Sequence, residues 1–390
     1  GGFYLEGSYI GRLSRRSLEM VDIGMATNLV DPKSGQDYFT AAKILANNIN
    51  AGVPTENVQP APFWENFYPG AAGDGLTATQ AIYNHYQDYA PSWADALMGL
   101  DLWCEAGCNV LGPGAQYSPQ YYALGTWMSV GSGSYHAMQW TLRKRFSQGF
   151  LFDVNYVLSK SLDLSSRPEG PGYSYGDNVI LNSWQRDQLR AVSSFDARHR
   201  LNAHFVAELP FGRGRKLLGD AGKALDALVG GWQVSGVYFN SSGLPFSVGN
   251  GYAWPTNWNV EGYATQVGPV PETKATKNAP AVAGDPGPNA WPDPSLAIKA
   301  YDFTLPGESG QRNGLRSDRF ANFDLGVSKR FIMPYAEGHS LQLRWEVFNV
   351  FNGVHFGEPS AGFWEPGTFG KYYYTRTEPR EMQFGLRYEF

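Results

Sequence analysis

The sequence predicts an all-β fold: a transmembrane, antiparallel up-and-down β-barrel wall of about eight strands with long extracellular loops. Three observations predict it. Segment after segment alternates apolar and polar residues with the period of two that a strand imposes. The polar positions carry full charges while the apolar ones are rich in aromatic rings clustered near segment ends, as in membrane girdles. Short links alternate with long ones along the whole chain. Composition agrees, since 15% aromatic residues, 46 Gly and 25 Pro in 390 residues suit strands, turns and irregular loops rather than a helical bundle. No run of about 18 apolar residues exists to form a spanning helix, and Gly1–Phe3 leads straight into a strand-like segment, as in a mature or truncated chain. The net charge of -5 argues against nucleic acid as the main partner.

The strands follow in order. "GGFYLEGSYIG" opens the chain with a Gly-rich, weaker pattern. In "HAMQWTLRKRF", Met138, Trp140, Leu142 and Phe146 oppose Gln139, Thr141, Arg143 and Arg145. In "GFLFDVNYVL", Phe150, Phe152, Val154, Tyr156 and Leu158 oppose Asp153 and Asn155. In "RLNAHFVAELP", Leu201, Ala203, Phe205, Ala207 and Leu209 oppose Asn202, His204 and Glu208. "GWQVSGVYF" is again Gly-containing. In "NFDLGVSKRF", Phe323, Leu325, Val327 and Phe331 oppose Asn322, Asp324, Ser328 and Arg330. In "HSLQLRWEVF", Leu341, Leu343, Trp345 and Val347 oppose Gln342, Arg344 and Glu346. In "EMQFGLRYEF", Met382, Phe384, Leu386, Tyr388 and Phe390 oppose Glu381, Gln383, Gly385, Arg387 and Glu389. Lys144 and Lys329 interrupt the apolar face, each two residues before a Phe, where a lysine near a strand end snorkels to headgroups.

The links obey a parity. "SQG" and "MPYAEG" are short, and "FGRGRKLLGDAGKALDALVGG" is moderate, with room for a short helix. The other four are long, covering about residues 15–133, 161–198, 250–318 and 353–377. Short periplasmic turns and long external loops are the asymmetry of an outer-membrane barrel, which puts the C-terminus in the periplasm. A β-sandwich has no reason to obey it. Eight strands can close alone, or they can form the last part of a larger wall.

The candidate sites lie in the loops and on the polar strand face. Trp64, Phe67, Tyr68, Tyr86 and Trp93, in the longest loop, offer flat faces for sugars, aromatics or a protein partner. The same rings would equally serve as the core that so long a loop needs. Residues 77–99 read as helical, with Ala78, Ile82, Tyr86, Tyr89, Trp93 and Leu97 near one face and Pro91 kinking or splitting the helix. In the last loop, Trp364 and Tyr372–Tyr374, with Tyr373 at their centre, are ligand contacts, upper girdle or loop–loop packing. Arg344, Glu346, Gln383, Arg387 and Glu389 should point into the lumen and pair with a plug or with one another. "DARHR" (196–200) and "RSDRF" (316–320) read as an ion-pair cluster fixing loop bases rather than acid–base machinery. "FGRGRK" (211–216) reads as a polar turn. Cys104 and Cys108 bracket "CEAGC", which suits a small disulfide and an oxidising compartment, with two unpaired thiols as the alternative; zinc would need further ligands nearby. No catalytic constellation, metal site or cofactor motif is arguable, so no enzymatic activity is expected.

The motifs "SYHAMQWTLRKRFSQGFLFDVNYVLSKSLD", "SSFDARHRLNAHFVAELPFGRGRK", "GGWQVSGVYFNSSGLPFSV", "FANFDLGVSKRF", "LQLRWEVFNVFNGVHFG" and "TEPREMQFGLRYEF" resemble, in order and spacing, TonB-dependent outer-membrane receptors of the Oar-like type common in Acidobacteria. The resemblance covers most of residues 120–390 and is weaker over 1–119. It implies a 22-stranded barrel of which this chain supplies the final eight strands. It also implies a plug, a TonB-contacting segment and an N-terminal carboxypeptidase-regulatory-like domain, none of them visible here. The implied partners are outer-membrane lipid, the plug and N-terminal strands, the TonB complex through that missing part, and an extracellular ligand. Phe390 matches the C-terminal aromatic such barrels present to their assembly machinery. The alternative is a self-contained eight-stranded structural or adhesion barrel with binding loops.

Overall fold

The computed structural model describes residues 2–102, 108–117, 124–166, 179–251, 262–333 and 338–390. Eight long strands dominate it: β1 (Phe3–Asp22), β2 (Gly125–Ser147), β3 (Phe150–Asp163), β4 (His199–Glu208), β5 (Trp232–Ser241), β6 (Phe320–Ile332), β7 (Ser340–Phe348) and β8 (Glu381–Glu389). Each pairs antiparallel with its sequence neighbours, so the sheet runs β8-β7-β6-β5-β4-β3-β2-β1 without a crossover. Two short strands, Val179–Ile180 and Ala191–Val192, attach to the ends of β1 and β3.

The register tests the alternation directly, because directly paired residues share a face. One row reads Phe3, Lys144, Phe152, Phe205, Gly236, Leu325, Val347, Met382. The next pairing along β7 and β8 is Trp345 with Phe384, whose rings stack at 6.2 Å. Every apolar set read from the sequence therefore falls on a single face across all eight strands. Most of the large apolar side chains on that face are exposed, Phe384 at 82% and Phe3 at 65%, while Val347 and Lys144 are buried among them. The opposite face carries the charges. Arg143 donates to Asp153 at 2.5 Å, Thr141 to Asn155 at 2.8 Å, and Asn322 to Asp324 at 2.8 Å.

The sheet is open. Among the described residues, β8 pairs with β7 alone, and β1 pairs with β2 and, at Met20 and Val21, with Val179–Ile180. Phe3–Ile10 does not meet Phe384–Phe390. All four long-link boundaries also need correction, the first most of all. β1 and β2 stay paired from Phe3–Lys144 to Asp22–Gly125, so the first long link spans residues 23–124 rather than 15–133. β3 likewise runs to Asp163. The alternation fades past Leu13 into Ser14, Arg15 and Ser17 facing Gly133, Ser132 and Gly131, so hydrophobicity ends before pairing does.

The connections keep the parity. Gln148 and Gly149 turn β2 into β3, both with positive φ (56° and 76°), as a two-residue type I′ hairpin requires. Residues 209–231 join β4 to β5 through helix α5 (Lys223–Val229), and 333–339 join β6 to β7. Links 23–124, 164–198, 242–319 and 349–380 gather at the other end of the sheet. Lys144 and Lys329 depart from the snorkelling expectation. Both are buried: the Lys144 ammonium donates to the Ser147 carbonyl (2.8 Å), the Ser147 hydroxyl (2.9 Å) and the Phe150 carbonyl (2.8 Å), and Lys329 donates to the Gly230 carbonyl. Each closes the short-link rim instead of reaching outward.

Candidate ligand-capture site

The long links are folded bodies. The first contributes α1 (Tyr38–Asn50), α2 (Pro62–Phe67), α3 (Ala78–Tyr89) and α4 (Trp93–Leu102). Asp37 caps α1 by accepting from the Thr40 amide, and Thr77 with Gln80 forms a capping box at α3. Pro91 splits the predicted long helix into α3 and α4.

This body corrects the first set of ligand candidates. Trp64, Phe67, Tyr68, Tyr86 and Trp93 are 0–8% exposed within one cluster that also holds Tyr38, Phe63 and Tyr117. Trp64 packs edge-on to Phe63 at 5.0 Å, and its indole N–H donates to the Ala41 carbonyl at 3.3 Å. Tyr68 donates to Gln116 at 2.8 Å. Rings so enclosed present no face to a ligand; they are the core of the link. Burial raises the hydroxyl pKa of Tyr38, Tyr68, Tyr86 and Tyr117, so all four hydroxyls stay neutral. Cys108 packs against the same cluster. Cys104 lies outside the described residues, and so therefore does the Cys104–Cys108 pairing.

The third and fourth links fuse into a second body. Gly249 donates to the Ala361 carbonyl (2.9 Å), Phe363 to the Gly249 carbonyl (3.1 Å), Ala290 to the Gly370 carbonyl (2.8 Å) and Tyr372 to the Pro288 carbonyl (2.9 Å). Trp291 stacks on Phe369 at 5.1 Å and Phe356 on Tyr372 at 4.7 Å, both inside the shared core. Residues 312–316 tie this body to the second link. Arg312, with a fully buried side chain, pairs with Asp163 and donates to the Leu189 carbonyl (2.9 Å). Asn313 donates to the Val192 carbonyl at 2.7 Å. Arg316 pairs with Asp196 at 2.6 Å, which joins the two motifs read as an ion-pair cluster at the loop bases. Lys43 and Glu308, 2.7 Å apart, link the helical body to the rest.

A cavity of about 830 Å³ opens between these links. Trp364 and Tyr374 supply aromatic surface, Glu358, Glu365 and Arg376 charge, and Asn313 an amide. Trp364 is held by glycines: a Cβ at Gly249 would lie 2.8 Å from its ring, at Gly251 2.9 Å, and at Gly362 3.1 Å. Only glycine lets the backbone approach so closely. Tyr374 is 59% exposed, accepts from the Glu358 amide (3.3 Å) and sits against Gly357, where a Cβ would come within 2.2 Å of the ring. Of the predicted last-loop aromatics, Trp364 lines this cavity, Tyr373 is exposed outside it, and Tyr372 is buried. Glu358, Glu365, Arg376 and Asn313 carried no local signal in the sequence, since four separate chain segments bring the cavity together.

The charged strand residues form their own network. Arg344 donates to Glu346 at 2.6 Å, Gln383 to Glu346 at 2.5 Å, Arg330 to Glu389 at 2.6 Å, and Arg387 to Glu389 at 3.2 Å. They share one face and pair with one another, opposite the exposed rings.

A meander with an exposed aromatic face, a charged face and links that alternate in length defines the class: a β-sheet wall built for an outer membrane. Residues 1–383 match the family described as Outer membrane beta barrel domain, and the chain belongs to that family. It is an outer-membrane barrel protein. The comparison with curated proteins gave no match.

Proposed function

We propose that the chain is the C-terminal wall and loop cap of a TonB-dependent outer-membrane transporter of the Oar-like type. The observation that carries this reading is the pair of unpaired edges. Backbone groups at an open edge cannot face lipid, so β1 and β8 need partner strands, and a larger barrel supplies them on both sides. In this reading the charged face lines a lumen, where Arg344, Glu346, Gln383, Arg387 and Glu389 meet a plug. The long links face outward and hold the ligand, and the C-terminus with its terminal Phe390 lies in the periplasm. A plug rearranged through TonB, both outside this chain, admits the ligand. The wall performs no chemistry of its own.

Pairwise cysteines along Phe3–Ile10 and Phe384–Phe390, in the chain expressed in an outer membrane, test the seam. No disulfide should form between the two edges of one molecule. A ladder of such cross-links, with a monomer that stays compact in unheated detergent, would establish a self-closed eight-stranded structural or adhesion barrel instead.

A further inference from the structure

We infer that the loop cavity binds an oligosaccharide; this deepens the proposed capture role and rests on it for the outward orientation of the links. The cavity combines two features that sugars need together. Flat rings cover the apolar face of a pyranose, and mixed donors and acceptors around them reach its hydroxyls. Trp364 and Tyr374 are the rings; Glu358, Glu365 and Arg376 are the polar groups, while the Asn313 amide is engaged with the Val192 carbonyl and the Ser194 and Ser247 hydroxyls. The Trp364 ring is also pre-positioned, since Gly249, Gly251 and Gly362 pack against it with no side chain between. A platform fixed before the ligand arrives loses little freedom on binding.

The charge balance selects against other ligands. Two carboxylates, Glu358 and Glu365, and one guanidinium, Arg376, line the cavity. A polyanion such as a phosphate or an anionic chelate would want clustered Arg and Lys. An acyl chain or steroid would want an apolar box, whereas here four serines, Asn313, Glu358, Glu365 and Arg376 share the lining with the rings. A backbone-paired peptide would want a free strand edge, but Gly249 already bonds to both residues that flank Gly362, its amide donating to the Ala361 carbonyl and its carbonyl accepting from the Phe363 amide. The volume of about 830 Å³ lies in the ~300–1,000 Å³ range of small-molecule sites and admits a short stretch of chain.

The purified full chain in detergent would be titrated with maltohexaose, cellohexaose, chitohexaose and mannohexaose, with hexa-alanine and inorganic phosphate as competing classes, and read by tryptophan fluorescence and calorimetry. At least one hexasaccharide should bind saturably. Trp364→Ala should weaken it at least about tenfold, as for an aromatic anchor, Trp364→Phe should retain part of it, and Glu365→Gln should weaken it, while Tyr373→Ala, outside the cavity, should leave it unchanged. Failure of all four sugars to bind below millimolar concentration, binding that survives Trp364→Ala, or preference for the peptide or phosphate would each overturn the inference. An inward orientation of the long links would sink the capture role yet leave the binding result standing, so the two failures are distinguishable.

Discussion

Single side chains decide what the links can do, and Asp101 shows how. It is buried at the end of α4, where its carboxylate accepts the backbone N–H groups of Ala115 (3.1 Å), Gln116 (2.9 Å) and Tyr117 (2.8 Å). One side chain thus anchors the return segment under the helical body. Burial pushes its pKa above the ordinary carboxylate value, and the three N–H donors only partly offset this. A raised folded pKa means the folded state takes up a proton before the unfolded one does. Asp101 therefore adds stability as pH falls from neutral through its folded pKa, and that contribution is lost again as pH rises. Asp31, whose pKa is lowered chiefly by the Ser34 hydroxyl, works in the opposite sense and loses its contribution on acidification. Asp101→Asn removes one term only. The variant should lose ~1–3 kcal/mol at neutral pH through buried N–H groups left without an acceptor, and its deficit against the parent should widen as pH falls. Limited proteolysis of the helical link in detergent across pH 4–8 would measure this; a deficit that shrinks on acidification would refute it.

At the scale of elements, two hairpins use the same closing device. Lys144 at the β2–β3 turn lies 5.7 Å from the Phe150 ring centre, and Lys329 beside the β4–β5 link lies 5.4 Å from Trp232 and 5.0 Å from Phe331. Each ammonium satisfies carbonyls at the turn, and its stem continues an apolar row. Replacing either by Met keeps the row and deletes the bonds, so Lys144→Met and Lys329→Met should each destabilise the wall by about 1–2 kcal/mol, read as a shift in the urea midpoint in detergent. A headgroup-seeking lysine would give no loss, because Met suits lipid better. What was legible in the sequence at this scale follows from range. The eight strands were legible because a period of two is local, and so was the split at Pro91, because a proline acts on its own turn. The fate of Trp64 and Tyr86 was not, since a ring in a core and a ring on a platform leave the same local pattern. The bulged extension of β1 to Asp22 was hidden for a related reason: Ser14, Arg15 and Ser17 pair through backbone groups that carry no side-chain signature. The cavity around Trp364 was half legible, because its ring was conspicuous while Gly249, Gly251 and Asn313 come from distant positions and the nearby Gly362, Glu358, Glu365 and Arg376 form no pattern that marks a site.

The whole molecule divides along the axis of its sheet. One end has two tight links and one moderate link; the other carries four long ones welded into helical and β-bridged bodies by Lys43–Glu308, Arg312–Asp163 and Arg316–Asp196. The β1–β2 hairpin continues toward the loops past the end of its apolar rows. Its 20 residues in β1 span about 65 Å, against an apolar band of ~25 Å in such barrels. Tilted by ~45°, a strand uses about 35 Å of its length to cross that band, so roughly 30 Å of the hairpin, close to half, stands clear of lipid as a stalk bearing the helical body. In the proposed orientation this bulky end faces outward and the short links face the periplasm, following the asymmetry of outer-membrane barrels. An epitope inserted at Gly284, an open position in the third long link, should be reached by antibody on intact cells. One inserted at Gly214, in the exposed turn between β4 and β5, should be reached only after the outer membrane is permeabilised. The reverse pattern would turn the molecule over: the Trp364 cavity would then open toward the periplasm, and capture from outside would be ruled out even with the wall, its register and its charged face unchanged.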